Sequence, residues 1–235
     1  MAVFSCLETR RRCNSRATRT VSLPWMSRPA SIGFAGGPMR RARCAALAIG
    51  GSAGSLPVIR GLIAALPCEM SLAVVVCMHT SAHVIDDLCA VLGDTATVSV
   101  VEAIDGAAVE PGRVYIAPGG YHLLVERKAR FALCAGQRIN HVRPAIDVLF
   151  ETMAEAYRGR LAGILLSGRN HDGAIGLTRI RALGGHVRVQ DPETAEAPEM
   201  PRAALALAAP DGQNSPDELQ KFVRALAWIG PISDA

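Results

Sequence analysis

From residue 44 onward, short and wholly apolar runs alternate with longer segments of helical spacing, and this alternation leaves few architectures open. Residues 45–49, 72–78 and 163–166 hold no charged side chain, and the second contains Val74-Val75-Val76. A strand with one wet face alternates polar with apolar residues. A continuous apolar run buries both faces, which implies a parallel sheet covered by helices on each side. Residues 56–66, stopped by Pro67, and 84–92 read as helices, as does 144–157, where Ile146, Leu149, Phe150 and Met153 share one face. Shorter strands are expected at 98–101, 114–117 and 186–189, with a helix over 174–183. Residues 121–126 and 130–134 alternate around a turn and suggest an antiparallel hairpin. The expected fold is therefore α/β: an open doubly wound, mostly parallel sheet with helices on both faces and a small antiparallel hairpin. No internal repeat is visible, so 44–235 is read as one domain, and 193–199 as a solvated loop.

The formal net charge of +4 over 235 residues is misleading. Residues 1–43 hold nine arginines and one acid, Glu8; the remainder has 16 basic against 20 acidic residues, a net of −4. Nothing in that remainder suggests nucleic acid or an anionic membrane as a partner. Residues 1–43 have no periodicity, and Pro24, Pro29, Pro38 and Gly36-Gly37 interrupt them, so the segment is expected to be disordered. A transit peptide, a later translation start at Met26 or Met39, and a basic interaction arm are its alternative explanations. No run reaches the roughly 18 apolar residues of a membrane helix, so no integral membrane protein is expected. Seven cysteines with no C-x-x-C pair give neither a disulfide framework nor a zinc knuckle, and reduced thiols in a cytoplasm fit best.

Chemistry concentrates where strands end. Ala48-Ile49-Gly50-Gly51-Ser52-Ala53-Gly54-Ser55 passes from a strand through glycines into a helix. Gly50-x-Ser52-x-Gly54 fits a nucleophile elbow, in which small neighbours let the chain turn sharply and lift a hydroxyl above the sheet. A phosphate-binding turn is the rival reading, but neither G-x-G-x-x-G nor G-x-x-x-x-G-K-[ST] is present. His79 follows the 72–78 strand, and Asp172 lies shortly after 163–166. In an open parallel sheet these ends face one side. A serine, an imidazole base and a carboxylate to orient the base are thus available as Ser52, His79 and Asp172. The order Ser, His, Asp departs from the Ser, Asp, His of ordinary α/β-hydrolases. Each residue also has a plain structural reading: Ser52 and Asp172 as caps of the helices that follow them, His79 as a polar strand terminus. His171 is a rival base. His79 and His83 have metal-pair spacing, but Thr80 replaces the glutamate of H-E-x-x-H, so no metal or cofactor is expected. His122, His141 and His186 read as surface or structural residues, the first two also as candidates to line a cleft.

The whole constellation resembles the catalytic domain of the CheB-type chemotaxis protein-glutamate methylesterases. The resemblance runs in order through residues 48–54, Val74-Val75-Val76-Cys77-Met78-His79, Asp105-Gly106, Pro111 to Pro118 and His122-Leu123-Leu124. It continues in Arg143-Pro144-Ala145-Ile146-Asp147, Leu165-Leu166-Ser167-Gly168, Asp172-Gly173-Ala174, Gln190-Asp191-Pro192 and Met200-Pro201. It implies hydrolysis of glutamyl methyl esters on a methylated chemoreceptor or similar signalling protein, with glutamine deamidation as a related activity. By position, Ser52 would be nucleophile, His79 general base and Asp172 its orienting carboxylate. Gly51, Ala53, Arg169 and His171 would border the oxyanion site or cleft. Three positions depart from the pattern: Ala53 stands where many members have threonine, and Gly168-Arg169-Asn170 where they have Gly-Met-Gly. A cation at 169 would favour an acidic substrate. Forty-three residues cannot encode the receiver domain that many members carry, so a stand-alone catalytic form is expected, either constitutively active or controlled by a separate regulator. The alternative to a hydrolase is a signalling-protein binding module that uses the same cleft without turnover.

Overall fold

The computed structural model describes residues 44–81 and 84–227. The expectations for 1–43 and for His83 lie outside these residues. A seven-stranded sheet forms the centre, in the order β3-β4-β2-β1-β7-β8-β9. Its strands are β1 (Ala46–Gly51), β2 (Ala73–Met78), β3 (Ser99–Glu102), β4 (Arg113–Ile116), β7 (Leu161–Leu165), β8 (His186–Gln190) and β9 (Gly212–Asn214). Every pairing in it is parallel. β5 (His122–Glu126) and β6 (Arg130–Cys134) form a separate antiparallel hairpin. The doubly wound α/β expectation, hairpin included, holds.

The apolar runs explain the layering. In β1 and β2 every residue is buried, and alternate side chains enter two different cores. Ala46, Ala48, Val75 and Cys77 pack with α3 (Ile146–Tyr157), α4 (Ala174–Ala182), α5 (Glu199–Ala208) and the hairpin. Leu47, Ile49, Val74 and Val76 pack with α1 (Leu56–Ala64), α2 (Ile85–Gly93) and α6 (Pro216–Ala227). β1 lies in the middle, with β2 on one side and β7 on the other. The chain leaves β1 toward one edge and later returns to its opposite flank, which makes the carboxyl ends of β2, β1 and β7 the switch point where ligands bind in such sheets.

Three elements escaped the sequence reading: α5, α6 and the short edge strand β9. The 193–199 segment is also not a free loop. It contains a turn of 3-10 helix over Pro192–Thr194, and Ala197 is buried against the end of β7. The Ala197 carbonyl accepts from the Gly168 N–H at 2.9 Å. Cys44, Cys68, Cys77 and Cys89 are free.

Candidate active site

β1 ends at Gly51, and the chain turns through Ser52-Ala53-Gly54-Ser55 before α1 begins at Leu56. Two glycines permit the turn. A Cβ on Gly51 would lie 2.6 Å from the Ser55 side chain, and Gly54 takes a φ of 74°, a region costly for other residues. Ser55, not Ser52, occupies the cap position of α1, and its hydroxyl donates to the Ser52 carbonyl at 2.7 Å. The Ser52 N–H donates to the Ser167 carbonyl at 2.8 Å, continuing the ladder between β1 and β7. The Ser52 hydroxyl is therefore free of any capping task.

The register places His79 level with Ser52, because Gly51 pairs with Met78. The Ser52 Oγ and His79 Nδ1 are 3.1 Å apart, and His79 Nε2 donates to Asp172 Oδ2 at 2.8 Å. An ionised carboxylate only accepts, so the proton sits on Nε2 and Nδ1 is left to accept from the serine. Asp172 has no solvent exposure. Burial pushes its carboxyl up, but hydrogen bonds from His79 and from the Ile146 and Asp147 N–H groups outweigh this and hold it below its ordinary value.

Asp172 is a helix cap after all, but of a different helix from the one expected. α4, which follows it, starts at Gly173 with no side-chain cap. The carboxylate instead reaches the start of α3, where Oδ2 accepts from the Ile146 N–H at 2.7 Å and Oδ1 from the Asp147 N–H at 3.2 Å. The positive end of α3 thereby stabilises a fully buried negative charge. Asn140 Nδ2 supplies a further donor to Oδ1 at 3.1 Å.

The surrounding wall is also polar and connected. Ser167 Oγ donates to the Ala53 carbonyl at 2.7 Å and accepts from the Ala197 N–H at 2.9 Å. Gln190 accepts from the Ser167 N–H at 3.0 Å and donates to the Thr194 carbonyl at 3.1 Å. These bonds fix the turn around Ser52 while leaving the Ala53 N–H without an acceptor among the described residues. Such an amide, at the start of a helix and beside the hydroxyl, suits a developing oxyanion.

Of the other residues singled out in the sequence, Gly51 is the buried last residue of β1, and Arg169 and His171 are exposed on the loop after β7. The His171 ring makes no hydrogen bond to Ser52 or Asp172, so the rival base is not part of the chain of contacts. His122 is buried rather than on the surface. Its Nε2 donates to the Gln137 carbonyl at 2.9 Å, and its Nδ1 accepts from the Ala145 N–H at 3.2 Å. Burial lowers its proton affinity, in keeping with a neutral structural ring. The Cys77 thiol, near Asp172, is pushed well up by burial and by the Asp172 charge, so it is no rival nucleophile. Among the described residues no cluster of three or more His, Cys, Asp or Glu side chains could hold a metal ion. Sequence reasoning missed the roles of Asn140, Asp147, Ser167 and Gln190. The one available signal was a helix start at Ala145 with no local cap, which leaves N–H groups for a distant acceptor.

The chain matches the family described as CheB methylesterase over residues 47–223. It is 37% identical over 161 residues to the protein-glutamate methylesterase/protein-glutamine glutaminase of Symbiobacterium thermophilum, a match covering 68% of this chain and 44% of that protein. A Caulobacter vibrioides protein of the same name is 35% identical over 184 residues, covering 77% and 53%. A Leptospira interrogans protein that bears the name provisionally is 39% identical over 166 residues, covering 71% and 86%. This chain thus matches about half the length of the first two relatives and most of the third. The crystal structure of the Thermotoga maritima CheB methylesterase catalytic domain superposes with a TM-score of 0.75 at 30% identity, covering 79% of this chain and all of that one. The chain belongs to the CheB methylesterase family.

Proposed function

We propose that this protein is a serine-type protein-glutamate methylesterase whose nucleophile, base and orienting carboxylate are Ser52, His79 and Asp172. The observation that carries this reading is the hydrogen-bonded chain from Ser52 through His79 to Asp172 at the ends of three adjacent strands. Ser52 Oγ attacks the ester carbonyl as His79 Nδ1 takes its proton, and the Ala53 N–H receives the oxyanion. His79 returns the proton to the departing methoxide, which leaves as methanol. Water then attacks the acyl-serine, again giving a proton to His79, and releases the glutamate carboxylate and free Ser52. The same steps with ammonia as leaving group deamidate glutamine.

The proposed substrate is a methylated chemoreceptor or a similar signalling protein. Arg169, exposed and without an ion-pair partner among the described residues, is the proposed contact for acidic side chains flanking the ester. We place the protein in the cytoplasm. Among the described residues no helix is long and apolar enough to cross a membrane, and Cys44, Cys68, Cys77 and Cys89 are free.

The test is methanol release from a methylated receptor preparation, with Ser52→Ala and His79→Ala measured alongside. Release abolished by both substitutions is the expected result. Release that survives Ser52→Ala removes the nucleophile from the mechanism. A receptor that binds and is never hydrolysed favours a binding module.

A further inference from the structure

The two helix starts beside the triad exchange their caps. Asp172, which leads into α4, accepts from the first N–H groups of α3, and Asp147, in the first turn of α3, accepts from the Gly176 N–H of α4 at 2.8 Å. Neither helix has a cap from its own N-cap side chain. The helices approach closely because position 176 is glycine: a Cβ there would lie 2.5 Å from the Phe150 Cβ and 3.2 Å from the Asp147 backbone. Asn140 joins the two carboxyls, its Nδ2 lying 3.1 Å from Asp147 Oδ2 and 3.1 Å from Asp172 Oδ1. It is held there by a tight hairpin in which Ile139 and Val142 bond each other, and Asn140 and His141 take φ of 52° and 66°.

Two adjacent carboxylates, with exposures of 4% and 0%, cannot both be ionised without large cost, and the contacts decide which keeps the proton. Asp172 has His79 and two helix N–H groups. Asp147 has one helix N–H and half a share of Asn140. We propose that Asp147 is a positioning residue for the triad carboxylate: by holding a proton toward Asp172, it keeps the pair at a single negative charge directed at His79. The proposal rests on the triad reading given above.

The other charges around Asp147 fit this assignment. Burial first, then the nearby Asp172 charge and hydrogen bonding to it, push the Asp147 carboxyl up to about 7, against the opposing Gly176 N–H. Glu151, one turn along α3, adds to the rise. From α4, Arg179, whose charge acts on Glu151, is paired with Glu155. On the hairpin side the ring is His122, with Arg143 beside it. His79 and Cys77, at the end of β2, are reached through Asp172.

The test is made on the full 235-residue chain by NMR, following the Asp147 carboxyl carbon and the His79 Nε2 proton from about pH 5 to 9, beside the pH profile of hydrolysis. In the parent, both resonances should move together through a step near 7, and the hydrolysis profile should carry a matching step. Asp147→Asn, which keeps an acceptor for Gly176 but cannot ionise, should abolish the step in both the His79 resonance and the profile. Asn140→Ala, which removes a donor shared by both carboxyls and leaves the caps intact, should move the step to higher pH. An Asp147 carboxyl that titrates in the ordinary acid range overturns the proposal, as does a His79 titration curve that is unchanged in Asp147→Asn. Absence of Ser52-dependent hydrolysis overturns the esterase reading, and the two resonances then still decide the pairing of the carboxyls.

Discussion

On the face of the sheet covered by α1, α2 and α6, the buried apolar cluster is built of Leu, Ile, Val, Met and Ala, and Ser55 at the start of α1 is a buried polar residue beside it. On the opposite face, α3 and the start of α4 bury His122, Asp147, Thr152 and Asp172 among Phe150, Leu149 and Leu177. The first face is held by area, which is non-directional and forgiving of shape. The second is held partly by hydrogen bonds that have one correct arrangement and leave a costly unpaired group when broken. The proposed triad needs fixed angles, and its residues sit at the end of the sheet where the directional network reaches the surface.

The contrast can be tested by substitutions that should separate stability from chemistry. At the site, Ser52→Ala and His79→Ala should each lower the hydrolysis rate by about a thousandfold or more while shifting Tm little, since neither side chain anchors a core. A rate loss accompanied by equal unfolding would mean that the two functions of that end are not separable. On the apolar face, Leu62→Ala, at a site with no exposure, should cost about 2–5 kcal/mol in denaturant unfolding and leave kcat of the folded enzyme near that of the parent. A strong kcat defect there would show that the faces are coupled through the sheet.

A pH series sharpens the same point, because the two buried acids act in opposite directions. The Asp172 carboxyl is depressed in the folded state, so its contribution is present above the ordinary acid range and lost as pH falls through the folded value. Asp172→Asn should therefore be less stable than the parent at neutral pH, and the gap should close below about pH 4. The Asp147 carboxyl is raised to about 7, so its contribution is present at low pH and lost as pH rises toward that value. Asp147→Asn should gain on the parent across that window when Tm is followed against pH. The smallest effect expected is at the rim: Arg169→Met should raise KM for a receptor with acidic flanks by a few-fold and leave hydrolysis of a small neutral ester unchanged.

How much of this was legible in the sequence follows the same division. β1, β2 and β7 announced themselves because burial on both faces forces continuous apolar runs, and Ser52, His79 and Asp172 were found because polar residues directly after such runs are conspicuous. β9 was not found: Gly212-Gln213-Asn214 is a strand only because β8 offers it an edge. α6 carries Leu219, Val223 and Ala227 at four-residue spacing, a signal present but unread. Asp147 was recognised as part of a helix and of a family motif but given no role, since an acid in a first turn is ordinary dipole chemistry. Its second partner, Gly176, is 29 residues away and no local pattern points to it. The cap assigned to Asp172 failed for the same reason: the helix it serves lies earlier in the chain.

The placement of β1 between β2 and β7 makes the backbone ladder a gauge for the site. Gly51 is paired with Met78 and Gly50 with Leu165, so the serine and imidazole are aligned by the same peptide bonds that hold the sheet together. One step of a strand is about 3.3 Å, as long as the contact between serine and imidazole itself. A slip of a single residue in β1 would separate the two groups completely.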